Sequence, residues 1–157
     1  MSNLARAYAI GQGVPQSFEE ARRWYEKAAA LGEPAAMNGL GVLYQNGHSV
    51  VQDYSEARRW FEKAAALGNA TAMANLGFLH HHGLGVPKDY VEARRLFDKA
   101  VSLGNSVGMF NIGLTFEKGE GVPQDYAEAQ RWYERAVAAG HREARRHLEN
   151  LKRLNGS

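Results

Sequence analysis

Apolar residues return at helical spacing along most of the chain, and short stretches rich in glycine and proline interrupt them at regular intervals. Between Glu33 and Asn46, the residues Ala36, Leu40, Leu43 and Tyr44 fall on one face and predict an amphipathic helix. The next stretch, Gly47 to Asp53, aligns with Gly83-Leu-Gly-Val-Pro-Lys-Asp89 and Gly119-Glu-Gly-Val-Pro-Gln-Asp125. Its glycines admit positive φ and its proline stops a helix, so it is a loop. A second helix then begins at Asp53-Tyr-Ser-Glu56, Asp89-Tyr-Val-Glu92, Asp125-Tyr-Ala-Glu128 and Ser17-Phe-Glu-Glu20. Each has the form of a capping box: a short acceptor side chain on the exposed amides, and a glutamate three residues on that bonds back. Ala57, Trp60, Phe61 and Ala64 supply the apolar face, and Leu67-Gly68 supplies the stop. Asn69 and Asn105 cap the helices that follow, while Pro34 suits a first helical turn.

These helices are one unit written repeatedly. Trp24, Trp60, Leu96 and Trp132 lie 36 residues apart, as do Ala21, Ala57, Ala93 and Ala129, and the glycines at 32, 68, 104 and 140. A fixed period of this size marks a solenoid, in which no unit buries its apolar face alone and each stacks on its neighbours. The expected fold is all-α: a right-handed α/α solenoid of about four stacked helical hairpins plus a C-terminal capping helix. The units are approximately 1–32, 33–68, 69–104 and 105–140, with the cap at 141–154. Met1 shares register with Met37, Met73 and Met109, so the first unit is expected to open inside a helix. Gly41, Gly77 and Gly113 lie mid-helix, where each costs roughly 1 kcal/mol relative to alanine. Their recurrence predicts close backbone contact, received by Ala57 and Ala64 with Trp60 and Phe61 filling around it. The last helix has Glu149 in that register and carries Arg142, Arg145, Arg146, Lys152 and Arg153, a polarity suited to a cap.

A length of 157 residues, 45% of them apolar, with a net charge of +2, suits one globular domain and excludes a disordered chain. Arginine pairs such as Arg22-Arg23, Arg58-Arg59 and Arg94-Arg95 alternate with glutamates at ion-pairing distance, so the basic balance does not predict a nucleic-acid partner. No cysteine is present, which excludes disulfides and thiolate chemistry and fits a reducing compartment. The first residues lack a signal pattern and no run approaches the roughly 18 apolar residues of a membrane span. A cytoplasmic location is the default, or a periplasmic one if the chain is a piece lacking its signal peptide. Nucleophile elbows, zinc-protease helices and phosphate loops are missing, so neither catalysis nor a cofactor is expected. His80, His81 and His82, with His48 of the previous loop, suggest a metal, yet adjacent helical residues point about 100° apart. The expectation is instead a packed His80, with His81 and His82 facing solvent or groove.

Ala36-x-x-x-Leu40-Gly41-x-x-Tyr44, the loop Gly-x-Gly-Val-Pro-x-Asp, and Glu-Ala-x-Arg-Trp-Tyr-Glu-Lys-Ala-Ala ending in Leu-Gly resemble Sel-one-like repeats, relatives of tetratricopeptide repeats. The resemblance covers essentially the whole chain. Ser49 and Val51 depart from it in one loop, as do His80 and Thr115 in the first helices. The resemblance implies an adaptor or scaffold, often bacterial, that binds a protein or peptide without inserting into membranes. It also brings two alternatives, a binder of cell-wall fragments or β-lactams and a neutralising partner of a secreted toxin. By analogy with tetratricopeptide arrays, the first helices line a concave face, and the residues there that do not repeat are free to specialise. That set is Asn38, Val42, Gln45, Asn46, Ala74, Phe78, His81, His82, Phe110, Leu114, Glu117 and Lys118, extended by Arg6, Arg146 and Asn150. Phe78, Phe110 and Leu114 form either its apolar centre or interhelix packing. In the first case, replacing Phe110 and Leu114 should abolish partner capture and spare helical content.

Overall fold

The computed structural model describes residues 1–155, and among these residues there are nine helices and no strand. They run α1 (Ser2–Ile10), α2 (Phe18–Ala30), α3 (Pro34–Asn46), α4 (Tyr54–Ala66), α5 (Ala70–His82), α6 (Tyr90–Ser102), α7 (Ser106–Lys118), α8 (Tyr126–Ala138) and α9 (Arg142–Asn155). Each odd-numbered helix from α1 to α7 packs along the helix after it to make a hairpin, and each hairpin stacks on the next through α2 with α3, α4 with α5, and α6 with α7. The result is an α/α solenoid, closed at the C-terminal side by α9 on α8. Ala144 and Leu151 are the buried residues of that cap.

The second helices start where the capping pattern places them, with one difference. Ser17, Asp53, Asp89 and Asp125 accept from the amides of Glu20, Glu56, Glu92 and Glu128 at 3.2, 3.0, 2.9 and 2.9 Å. The reach back by the glutamates is not made. Each capping residue instead donates its amide to the end of the preceding helix, Asp53 to the Tyr44 carbonyl and Asp89 to that of His80, at 3.0 and 2.9 Å. That bond closes the loop, leaving the glutamate to pair with the arginine three residues on, as Glu56 does with Arg59 at 2.6 Å. Asn69 and Asn105 cap α5 and α7 as expected.

The mid-helix glycines answer to rings. A Cβ on Gly41 would lie 2.4 Å from Phe61 Cε1, and one on Gly113 would lie 2.6 Å from Tyr133 Cε1. Ala57 and Ala64 are fully buried, but the atoms nearest that point on Gly41 belong to the Phe61 ring between them; at Gly77 the Ala93 carbonyl, in the Ala57 register, also stands close at 3.1 Å. The recurring tryptophans are partly buried and carry a cation over the ring, Lys63 over Trp60 at 4.3 Å and Arg135 over Trp132 at 4.2 Å. In the irregular loop, Ser49 takes the left-handed conformation at φ 60 that glycine holds in the other three. Its hydroxyl donates to the Phe18 carbonyl at 3.1 Å, so the departure is accommodated by a bond to the previous hairpin.

Candidate functional site

First helices of successive hairpins meet, α1 against α3 and α5 against α7, while Asn75 Nδ2 donates to Asn38 Oδ1 at 3.0 Å and links α3 to α5. This layer of first helices is the one expected to form the concave face. The twelve residues expected to line it separate into an open group near its N-terminal half, a second group around a small hollow, and several that are absorbed by packing.

The open group surrounds a cavity of about 640 Å³ between α1 and α3, lined by Arg6, Asn38, Val42 and Asn46 together with Tyr25, Phe18 and His48. Two repeats further on, the equivalent place is a hollow of about 70 Å³ lined by Phe78, His81, His82, Phe97, Asn111, Leu114 and Lys118. Every one of those residues has a partner 72 positions earlier among the lining of the larger cavity: Arg6, Ala9, Ile10, Tyr25, Gly39, Val42 and Asn46. The difference is therefore one of side-chain volume at fixed backbone positions. Ala9 stands where His81 stands, Gly39 where Asn111 stands and Ala35 where Val107 stands. A Cβ on Gly39 would lie 2.5 Å from the Tyr25 ring, so the missing side chain also lets that ring lean into the groove. Burial pushes the Tyr25 phenol up, and the Arg6 charge partly offsets it. Gly39, Ala9, Ala35 and Tyr25 were missed in the sequence. Gly39 carries a signal, since Asn75 and Asn111 repeat in its register, whereas positions 9 and 35 differ in every copy.

Packing absorbs the others. Ala74 is fully buried, and Gln45 has its side-chain carbonyl oxygen buried without a partner. Phe110 is 7% exposed and stacks on His141 with ring centres 4.4 Å apart, so it joins α7 to the cap and is no open anchor. Glu117 accepts from the Tyr133 hydroxyl and faces His147 Nδ1 at 3.0 Å, holding α7, α8 and α9 together. Burial first, then the Glu117 carboxylate, pushes the Tyr133 phenol up. Phe78, His82, Leu114 and Lys118 remain on the groove side, with the His82 ring 4.1 Å from that of Phe78.

The histidine triplet also differs from expectation. His81 is the buried member, at 7% exposure, and its Nε2 bonds Glu120 of the following loop at 2.8 Å. His80 is half-buried and His82 bonds the Phe78 carbonyl. Burial holds His81 below its ordinary value of 6.5, against the pull of Glu120, while His82 and Lys118 act in the same direction as burial. The geometry agrees: Nδ1 is buried with no partner, so a neutral ring donating from Nε2 satisfies the site, whereas protonation would add a donor with nothing to accept it. Burial also holds His141 low. Both groups bind a proton less readily folded than unfolded, so their contribution to stability is present above about pH 6.5 and is lost as pH falls through the folded values. The melting temperature should fall between about pH 7.5 and about pH 5.5, and His81→Gln, which copies Gln45, should flatten that slope. An unchanged slope in the variant would assign the acid sensitivity to other groups.

Stacked helical hairpins of one repeated unit place the chain in the class of helical-repeat proteins. Within that class, the Sel1 repeat family matches residues 1–33, 34–69, 70–105 and 106–141, and the chain belongs to it. Sel1 repeat proteins are generally protein-interaction modules on non-catalytic helical scaffolds. A Sel1 repeat protein from Oxalobacter formigenes is 36% identical, with a TM-score of 0.79 over 94% of this chain and 60% of its own. A protective antigen present in uropathogenic Escherichia coli strains is 35% identical, with a TM-score of 0.75 over 96% of this chain and 32% of its own. The cysteine-rich protein B of Helicobacter pylori is 25% identical, with a TM-score of 0.59 over 80% of this chain and 90% of its own. This chain thus spans less than two thirds of the first two. No curated protein matches it. Among the described residues, no helix is long and apolar enough to cross a membrane.

Proposed function

We propose that this chain is a scaffold or adaptor module that holds a segment of a protein partner along its concave face and performs no chemistry itself. One observation carries the reading: residues that escape the repeat open a cavity of about 640 Å³ on that face, where the same backbone two repeats later is nearly filled. Repeating positions are accounted for by capping, ion pairing and core packing, so they leave the inner face as the surface on which this chain differs from a generic repeat. Apolar walls with a few amides and one guanidinium are the composition of a protein-docking surface.

The test is affinity capture from cells that make the protein, with three baits: wild type, Arg6→Glu with Val42→Asp, and Val91→Asp. Val91 is 82% exposed on α6, away from the groove. The groove variant should lose the protein captured by wild type, and the α6 variant should retain it, with both melting near wild type. Equal capture by all three baits, or loss confined to Val91→Asp, would place binding elsewhere.

A further inference from the structure

We propose that the cavity between α1 and α3 is the specificity pocket of the module, and that it takes one large apolar side chain, aromatic first, from an extended partner segment carrying a carboxylate beside it. The inference rests on the concave-face reading above and adds the chemistry of what is held.

Three features converge on that occupant. The space exists because Ala9 and Gly39 leave unfilled what His81 and Asn111 fill two repeats on, and Ala35, smaller than the Val107 of its register, stands in the same lining. Its apolar wall includes rings: Val42 and Leu43 stand with Tyr25, and with Phe18 stacked on His48 at 4.0 Å between ring centres. Ile10, 55% exposed, stands among the same lining residues. An aromatic guest there gains edge-to-face contacts in addition to area burial.

Charge selects the neighbour. Arg6 is the one arginine in the lining, which contains no lysine, aspartate or glutamate. Seven arginines of the second helices, Arg22, Arg23, Arg58, Arg59, Arg94, Arg95 and Arg131, each face a carboxylate, and Arg135 lies over the Trp132 ring. Arg6 has no such partner among the described residues. The nearby Glu33 is already engaged, accepting from the Ser2 hydroxyl. A guanidinium beside an apolar pocket, with no acid in the lining, complements a partner carboxylate and repels a cation. The lining runs the length of α3, from Ala35 and Asn38 to Asn46, and takes in Asn69 and Thr71 at the head of α5, so it has room for more than one residue of an extended chain. Asparagine amides both donate and accept, which suits a peptide backbone.

Fluorescein-labelled blocked peptides of the form Gly-Ser-Xaa-Zaa-Ser-Gly test this, with Xaa tryptophan, leucine, alanine or lysine and Zaa glutamate, glutamine or lysine, read by anisotropy on the full chain. Wild type should bind the tryptophan-glutamate peptide roughly tenfold or more tightly than the alanine-glutamate and tryptophan-lysine peptides. Ala35→Val with Val42→Phe copies Val107 and Phe78 from the same registers and should erase the preference at Xaa while keeping glutamate over lysine at Zaa. Arg6→Gln should do the reverse. Ala9→Gln, copying Gln45, is the second filling variant should the first lower the melting temperature. Peptide preferences unchanged in a folded filled variant, or no discrimination by wild type, would overturn the inference. Partner capture lost in the groove variant would then still support the broader reading, so the two fail separately.

Discussion

Replacing Phe110 by alanine is expected to lower the unfolding free energy by about 3–5 kcal/mol. Phe110 is 7% exposed and is enclosed by His141 at 4.4 Å, His147 at 5.3 Å and Tyr133 at 5.7 Å between ring centres. Its cluster contains Ala129, Tyr133, Ala136, Ala144 and Leu151, which come from α8 and α9, so the hole left by truncation lies under the cap. α9 is held by α8 and, through His147, by α7, so a hole at Phe110 weakens both of its supports. Urea unfolding followed by circular dichroism checks the value, with Lys118→Ala, an exposed change on the same helix, expected within about 0.5 kcal/mol of wild type. A loss below about 1 kcal/mol would mean that the ring is dispensable to the cap. The expectation that replacing Phe110 and Leu114 would spare helical content is thereby revised: any lost binding in that variant would follow from a loosened C-terminal unit.

The second large effect belongs to Gly41→Ala. Alanine gains roughly 1 kcal/mol by helix propensity, which would stabilise an open position. Here the new methyl would sit 2.4 Å from Phe61 Cε1, 2.6 Å from Cδ1 and 3.0 Å from Cζ. Phe61 is fully buried in the cluster with Ala57, Ala64 and Leu79, so its ring has no free volume to enter. Overpacking of this kind costs about 1–3 kcal/mol, and the net expectation is a loss of stability. Phe61→Leu should rescue part of it, giving a coupling in a double-mutant cycle measured by urea unfolding. Additive effects of the two changes would show that the glycine is kept for another reason.

Much of the fold was legible because it is local and repeated. The caps at Asp53, Asp89 and Asp125 declare helix starts, the left-handed glycines declare stops, and a constant 36-residue step excludes any topology but stacking. Two local details were not legible. The reach back by Glu56 depends on whether the Asp53 amide is free, and the Tyr44 carbonyl, which lies on another helix, takes it. Equally, Gly41 announces a close approach without saying which neighbour makes it.

The candidate site was legible in its principle and only partly in its members. Subtracting the repeat draws attention to Asn38, Val42 and Asn46, which line the cavity. The same subtraction passes over Gly39, Ala9 and Ala35, because a search for distinctive side chains overlooks positions whose distinction is a missing one. It also selects Phe110, His81 and Glu117, which do not repeat for a different reason: they meet His141 and His147 of the cap, or Glu120 of a loop.

By itself, then, the sequence determined the helices, their ends, the register and the solenoid, since each follows from backbone and side-chain preferences within a few residues and from one constant period. Only the tertiary structure decided which unrepeated residues face the groove and which close the core. That depends on the summed volumes of side chains contributed by three or more elements at one place, a quantity that no single register position carries. Tyr25 lies against Gly39 from another helix, and Ala9 and Ala35 line the same cavity.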